Sequence, residues 1–387
     1  MNNFDYYNPT QVLFGKGQIA ALSKVIPRQA KVLMLYGGGS IKKNGVYDQV
    51  KTALSDISLL EFGGIEANPT YETLMQAVAL VKAEKVDFLL AVGGGSVIDG
   101  TKFVAAAAVF DEGQDPWQIL EKWGGNIQAA LPFGCVLTLS ATGSETNAAA
   151  VITRAETKAK RSFMNRLVFP KFAILDPTTS FSLPLRQVGN GVVDTFVHVV
   201  EQYLTLPTQA KVQERLAEGV LLTLLEEGPR ALSEPDDYDV RANLMWAASC
   251  ALNGQIGAGM VQDWATHMIG HELTALYGLD HAQTLAVVLP SMLRVRAKQK
   301  REMLLQYASR VWQLESGDED ERIELAITKT EVFFENMGVK THLGDYGLNE
   351  QHMGAVLQAL EEHKMTALGE TRDVTLAISR QILEMAL

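Results

Sequence analysis

Two apolar runs in this chain, "KVLMLY" at residues 31–36 and "VDFLLAV" at 86–92, each end in the same four residues, Gly-Gly-Gly-Ser. A short run without polar alternation predicts a strand buried on both faces, the kind found in parallel sheets covered by helices. Between the two runs, "TYETLMQAVALVKAEK" spaces its apolar residues by three and four and predicts the crossover helix. "FGCVLTL" (133–139) and "FAILD" (172–176) predict further strands. After "DPTTSFSLPLRQV" the texture changes: from about Asn190 onward the segments carry helical periodicity, and strand-like runs cease. The expectation is α/β plus all-α, with an α/β domain over 1–181 and an all-helical domain over 182–387.

The glycine words also suggest chemistry. A strand, a glycine-rich turn and a helix start let a ligand approach the backbone without Cβ clashes, while free N–H groups at the helix N-terminus face it as anion donors. "LLAVGGGSVIDGTK" has this form, and Ser96 adds a hydroxyl. The bland alternative is a tight turn with no ligand. The sister turn at 37–40, closing a neighbouring strand, favours a dinucleotide pyrophosphate, because both turns open beyond the strand C-termini. The usual GxGxxG fingerprint is missing. The end of the first strand offers no carboxylate for a ribose 2′-OH; it has Ser40, with Lys42 and Lys43 behind, which favours NADP(H) over NAD(H). The competing reading of both lysines is plain solvent exposure.

The second half crowds imidazoles into apolar surroundings. In "NGVVDTFVHVVEQYL", Asp194 and His198 are four residues apart, on one helix face. In "HMIGHELTALYGLDH", His267 and His271 repeat that spacing, and His281 follows a glycine-containing break. One carboxylate with three imidazoles suits Fe(II) or Zn(II). A lone buried histidine is ordinarily hydrogen-bonded core. A set of this size is hard to bury without an ion to neutralise it. One histidine is surplus for a four-ligand site open to substrate, either His267 or His271, and spacing does not say which.

Composition narrows the partners. Of 387 residues, 47% are hydrophobic and 20% charged, and no apolar run is long enough to cross a bilayer, so no membrane role is expected. A net charge of −11 argues against nucleic acid. The basic run "RVRAKQKRE" (294–302) reads as a solvated helix face, and "ESGDEDER" (315–322) as an exposed acidic turn into a helix. Cys135 and Cys250 read as buried thiols rather than a disulfide framework, and with no secretory signal in "MNNFDYYNPTQVLFGKG" the expected location is the cytoplasm.

The motifs "LFGKG", "FGGIEANPTYET", "GGGSVIDGTK", "LTLSATGSETN", "LDPTTSFSLP", "GVVDTFVHVVEQY" and "HMIGHELTALYGLDHAQTLAVVLP" span essentially the whole chain. Through them it resembles the iron-containing (group III) alcohol dehydrogenases, in the butanol-dehydrogenase-like branch of NADPH-dependent aldehyde reductases. The resemblance implies a dehydroquinate-synthase-like fold. It implies Asp194, His198, His267 and His281 as metal ligands, with His271 the non-ligand histidine beside the nicotinamide. It implies cofactor contacts from Gly38, Gly39 and Ser40 at the adenosine end, Asn68, then Gly94, Gly95 and Ser96 at the pyrophosphate, and Asp99 toward the nicotinamide amide. Thr138, Thr142, Asn147 and Lys160 match further contact positions, Lys160 in what reads as a charged turn. The metal would be Fe(II) or Zn(II), since the family uses both.

These parts together imply hydride transfer between NADP(H) and an aldehyde/primary alcohol pair, the metal polarising the carbonyl and a proton arriving from water or through His271. The alternative in another class is a metal- and NAD-dependent polyol dehydrogenase or a lyase/cyclase of the same fold. Against the lyase stands the scarcity of Arg and Lys in the second-half motifs. Finally, "NPTQVLFGKG" predicts a strand at the sheet edge, and an exposed edge together with the resemblance implies a homodimer.

Overall fold

A computed structural model describes residues 1–387, which divide into two compact bodies. One comprises Tyr7–Leu183 with Asp236–Met245; the other comprises Met1–Tyr6, Pro184–Pro235 and Trp246–Leu387.

The first body is built on strands β1 (Gln11–Phe14), β2 (Lys31–Tyr36), β3 (Ser58–Phe62), β4 (Phe88–Gly93), β5 (Phe133–Leu137), β6 (Ala149–Arg154), β7 (Ala159–Met164) and β8 (Phe172–Leu175). Six of them form a parallel sheet in the order β1-β8-β5-β4-β2-β3, and β6 pairs with β7 as a separate antiparallel hairpin. Helices α1 (Leu22–Val25), α2 (Ser40–Lys43), α3 (Val46–Ala53), α4 (Tyr71–Glu84), α5 (Gly95–Ala107) and α6 (Gln118–Glu121) accompany the sheet. Its four central strands, β8, β5, β4 and β2, are buried on both faces. Leu33, Leu35, Leu89, Ala91, Cys135 and Leu137 join one core with α4 and α5, while Val32, Met34, Leu90, Val92 and Val136 join another with α1 and α3. This two-sided burial is why β2 and β4 read as unbroken apolar runs.

Three strands escaped sequence reading, β3 and the two of the β6–β7 hairpin. The strand "SLLEF" lies between the two glycine words, so α4 joins β3 to β4 rather than leading directly from β2. β3 is a sheet edge and only half-buried, which weakened its apolar signal. Lys160 lies inside β7, buried, not in a turn; the turn is the preceding stretch 155–158.

The second body is helical: α7 (Leu185–Tyr203), α8 (Lys211–Ser233), most of α9 (Tyr238–Leu252), α10 (Ala265–Tyr277), α11 (His281–Val295), α12 (Arg301–Arg310), α13 (Glu319–Asn336), α14 (Glu350–Glu362) and α15 (Leu376–Met385). α7 packs on α8 and α11, and α10 packs on α11 and α14. The acidic stretch does open α13, with Asp318 accepting hydrogen bonds from the Asp320 and Glu321 amides. The basic run is not a solvated face. Arg294 forks onto Glu331 at 2.7 Å, Arg296 pairs with Asp373 at 2.7 Å, and Lys300 is buried. Arg294, Arg296, Lys300 and Arg301 each meet a carboxylate supplied from elsewhere in the chain, a pairing invisible in local composition, while Lys298 stays exposed. Cys135 is buried, Cys250 is only partly so, and no disulfide forms. No helix is long and apolar enough to cross a membrane.

Candidate metal centre and cofactor cradle

Helix α7 carries Asp194 and His198 one turn apart, both buried, with His198 Nδ1 3.5 Å from Asp194 Oδ1. α10 carries His267 and His271, also buried. A left-handed Gly278 ends α10 and lets the chain turn back, so that His281 becomes the first residue of α11. The turn is anchored on α7: Asp280 caps α11 in a reciprocal pair with Gln283, and its Oδ2 accepts hydrogen bonds at 2.8 Å from both Arg186 and Asn190. Helix α7 and the consecutive helices α10 and α11 thereby converge.

Ligand atoms of Asp194, His267 and His281 lie within 4.8 Å of one another, and His281 Nε2 is 3.7 Å from Asp194 Oδ1. Two atoms each about 2.1 Å from one tetrahedral ion stand roughly 3.4 Å apart, so the spacing is that of a slightly expanded site. The His198 ring stacks on that of His267, centroids 4.6 Å apart, and its Nδ1 is buried without a hydrogen-bond partner. Burial pulls the His198 imidazole down to about 4, with Asp194 opposing and His267 adding to the shift. It is therefore neutral at pH 7, the form a metal takes. The donor set, one carboxylate and imidazoles with a buried nitrogen left over, fits a divalent cation. His281 is 23% exposed while the other three are nearly sealed, so access is from the His281 side. His271 stands beside the cluster, its ring centroid 5.3 Å from His281 and 6.1 Å from His267.

A carboxylate that sequence reading missed organises this centre. Glu201 is buried on α7, and its Oε2 contacts His267 Nδ1. The ring thus offers Nε2 to the cluster. Burial and the nearby Asp263 push the Glu201 carboxyl well above its ordinary range, against the Thr266 and His267 amides and the Lys300 charge. The signal was present: Asp194, His198 and Glu201 are spaced four and three, one stripe of an otherwise apolar helix.

The cofactor candidates all fall in the first body. Gly94 caps α5, whose first residues are Gly95 and Ser96, so free amides open just beyond β4. At the sister turn, Gly39 adopts φ +90°, open to glycine at little cost, and a Cβ on the exposed Gly38 would meet nothing within 4 Å. The space beside that turn is open to a ligand group. Gly95 is glycine for a further reason: a Cβ there would lie 2.4 Å from Thr142 Oγ1. Asn68, at φ +56°, accepts a 2.9 Å hydrogen bond from Lys160 Nζ. Lys42 and Lys43 are both exposed, with the Lys42 ammonium 5.0 Å and 4.9 Å from the Tyr36 and Tyr47 ring centroids and 3.9 Å from Glu61.

Asp99 and Asn147 are already engaged in a buried network. Ser144 Oγ donates to Asp99 Oδ1 at 2.5 Å, and Asp99 Oδ2 accepts the Val151 amide. Lys102, fully buried, donates to Ser144 Oγ, Asn147 Oδ1 and the Ala149 carbonyl at 2.7–2.9 Å. Desolvation raises Asp99 and lowers Lys102 to about 8, each opposed by the other's charge. Thr138 is buried just past β5.

Comparison with known proteins agrees over the whole chain. The iron-containing alcohol dehydrogenase profile matches residues 9–177, and the profile for the C-terminal region of Fe-containing alcohol dehydrogenases matches 189–385. The chain is 62% identical over 386 residues, covering all of both proteins, to the NADPH-dependent aldehyde reductase YqhD of Escherichia coli (strain K12). It is 40% identical over 366 residues to NADP-dependent alcohol dehydrogenase 3 of Entamoeba histolytica, covering 93% and 94% of the two chains. Among solved structures, the substrate- and cofactor-free E. coli aldehyde reductase superposes with a TM-score of 0.94 at 60% identity, covering 100% of each chain. The NADH-dependent butanol dehydrogenase A of Thermotoga maritima superposes with 0.95 at 36% identity, covering 100% of this chain and 99% of that one. The chain belongs to the iron-containing alcohol dehydrogenase family.

Proposed function

We propose that the protein is a metal-dependent NADPH:aldehyde oxidoreductase that reduces aldehydes to primary alcohols. What carries the reading is the buried Asp194–His267–His281 cluster in a chain 62% identical, end to end, to an NADPH-dependent aldehyde reductase. When bound, NADPH supplies the hydride and a divalent ion, Fe(II) or Zn(II), supplies the Lewis acid for the carbonyl oxygen.

The residues divide the remaining work. Asp194, His198, His267 and His281 hold the ion, and the partial exposure of His281 leaves that side for substrate. His271 relays the proton that the carbonyl oxygen takes up. In the α/β domain (1–181), Gly38, Gly39 and Ser40 receive the adenosine end. Asn68 and Lys160 act as one hydrogen-bonded unit, Gly94, Gly95 and Ser96 receive the pyrophosphate, Asp99 faces the nicotinamide amide, and Thr138, Thr142 and Asn147 supply further contacts. The helical domain (182–387) bears the metal.

We further infer a homodimer, because β1 is a sheet-edge strand whose Phe14 is exposed. A cytoplasmic location is in keeping with two cysteines that form no disulfide. The deciding experiment follows NADPH oxidation with aldehydes of two to eight carbons, alongside elemental analysis of the purified protein. No turnover with any aldehyde by metal-replete protein would sink the reading.

A further inference from the structure

Glu201 makes three contacts with one short stretch of α10. Its Oε1 accepts the Thr266 amide at 2.7 Å and the His267 amide at 3.3 Å, and its Oε2 contacts His267 Nδ1. Its own carbonyl accepts the Asp263 amide at 3.0 Å. A side chain of α7 therefore accepts the first amides of α10 and, with its other oxygen, orients a ring in that same turn.

The start of α10 needs such a hold. Trp264, at its N-cap, sits at φ +65°, a left-handed conformation costly for a bulky residue. Asp263 Oδ1 accepts the Ala265 amide at 2.9 Å. Asp263 Oδ2 in turn receives Lys300 Nζ at 2.7 Å, and the same ammonium donates at 2.7 Å to Glu370 Oε1 and the Leu204 carbonyl. Lys300 is thus the buried counter-charge of this corner, and Leu204, one residue past α7, ties it back to the helix that carries Glu201.

We propose that Glu201 is the positioning residue of the metal centre, fixing α10 against α7 so that His267 presents Nε2 at the distance set by Asp194. The inference rests on the metal reading above. Glutamine at 201 is isosteric and cannot do both tasks. If its oxygen keeps the α10 amides, its NH2 faces His267 Nδ1 and favours the tautomer with the proton on Nε2, the wrong atom for a ligand. If it flips to serve the ring, the NH2 opposes the amides.

The test titrates metal-stripped wild type, Glu201→Gln and His267→Ala with Co(II) alone, reading the visible d–d band, and records melting of each stripped protein. Glu201→Gln should bind Co(II) roughly 10- to 100-fold more weakly, with an altered band, while His267→Ala binds weaker still. A merely structural Glu201 would lower the melting temperature and leave the affinity unmoved. A loss of more than about fivefold supports the proposal and a smaller one overturns it. Should Glu201→Gln not fold, Glu201→Asp, which keeps the carboxyl and withdraws it by one methylene, is judged by the same threshold. Wild type that binds no Co(II) removes the metal reading itself, a result distinct from wild type and Glu201→Gln binding alike.

Discussion

Lys160 Nζ donates a 2.9 Å hydrogen bond to Asn68 Oδ1, joining strand β7 to the residue that follows the β3 loop. Lys160 is buried and Asn68 holds a left-handed backbone, so each constrains the other. Lys160→Met should raise KM for NADPH roughly tenfold, through loss of a charged hydrogen-bond donor, and leave kcat within about a factor of two. Steady-state kinetics with cofactor varied checks this; a fall in kcat alone would remove Lys160 from cofactor binding.

Gly38→Asp should move cofactor preference from NADPH toward NADH. A Cβ at 38 meets no atom within 4 Å, so the new side chain is accommodated and acts through charge. It repels a 2′-phosphate and accepts a hydrogen bond from a free 2′-OH, a differential on the order of 1–3 kcal/mol. The measurement is the ratio of kcat/KM for the two cofactors, and an unchanged ratio would put 2′-phosphate recognition elsewhere.

His267, His271 and His281 separate by metal content. His267→Ala and His281→Ala should lose ion and activity together, whereas His271→Ala should keep the ion and turn over more slowly. Elemental analysis beside NADPH oxidation distinguishes them. Retention of metal by His267→Ala with loss by His271→Ala would reverse the assignment.

Lys102 titrates at about 8 in the folded protein, against an ordinary 10.5 when unfolded, because burial disfavours its charge. Between those values the unfolded chain binds the additional proton, so the contribution of Lys102 makes the native state more stable as pH rises through that window. Urea melts at about pH 7.5 and about pH 9.5 should show wild type gaining relative to Lys102→Met. Parallel shifts in the two proteins would mean that Lys102 carries no such linkage.

Strand β1 occupies one edge of the parallel sheet, paired only with β8. Light scattering at micromolar concentration should return a dimer mass, and deletion of residues 1–15 should abolish it. A dimer that survives the deletion would move the contact away from β1.

What the sequence determined by itself is what local spacing controls. The paired positions Asp194/His198 and His267/His271 lie one turn apart in any helix, and the glycine words mark strand ends because Gly39 takes a left-handed backbone and a Cβ at Gly93, Gly94 or Gly95 would crowd Val97, Leu139 or Thr142. The unbroken apolar runs of β2 and β4 declared a sheet covered on both faces. Tertiary structure decided everything that depended on a partner distant in the chain. Lys300 and Arg296 read as solvent-facing cations, yet both are buried, because Asp263, Glu370 and Asp373 meet them there. Glu201 stood in plain view on the ligand stripe, but its role required the first turn of α10 to arrive beside it. Asn68 and Lys160 were separate expectations until the β6–β7 hairpin brought them together. Burying a charge is unfavourable unless its counter-charge arrives in the same folding event. Local composition therefore identifies the charged group, and only the packed fold identifies its partner.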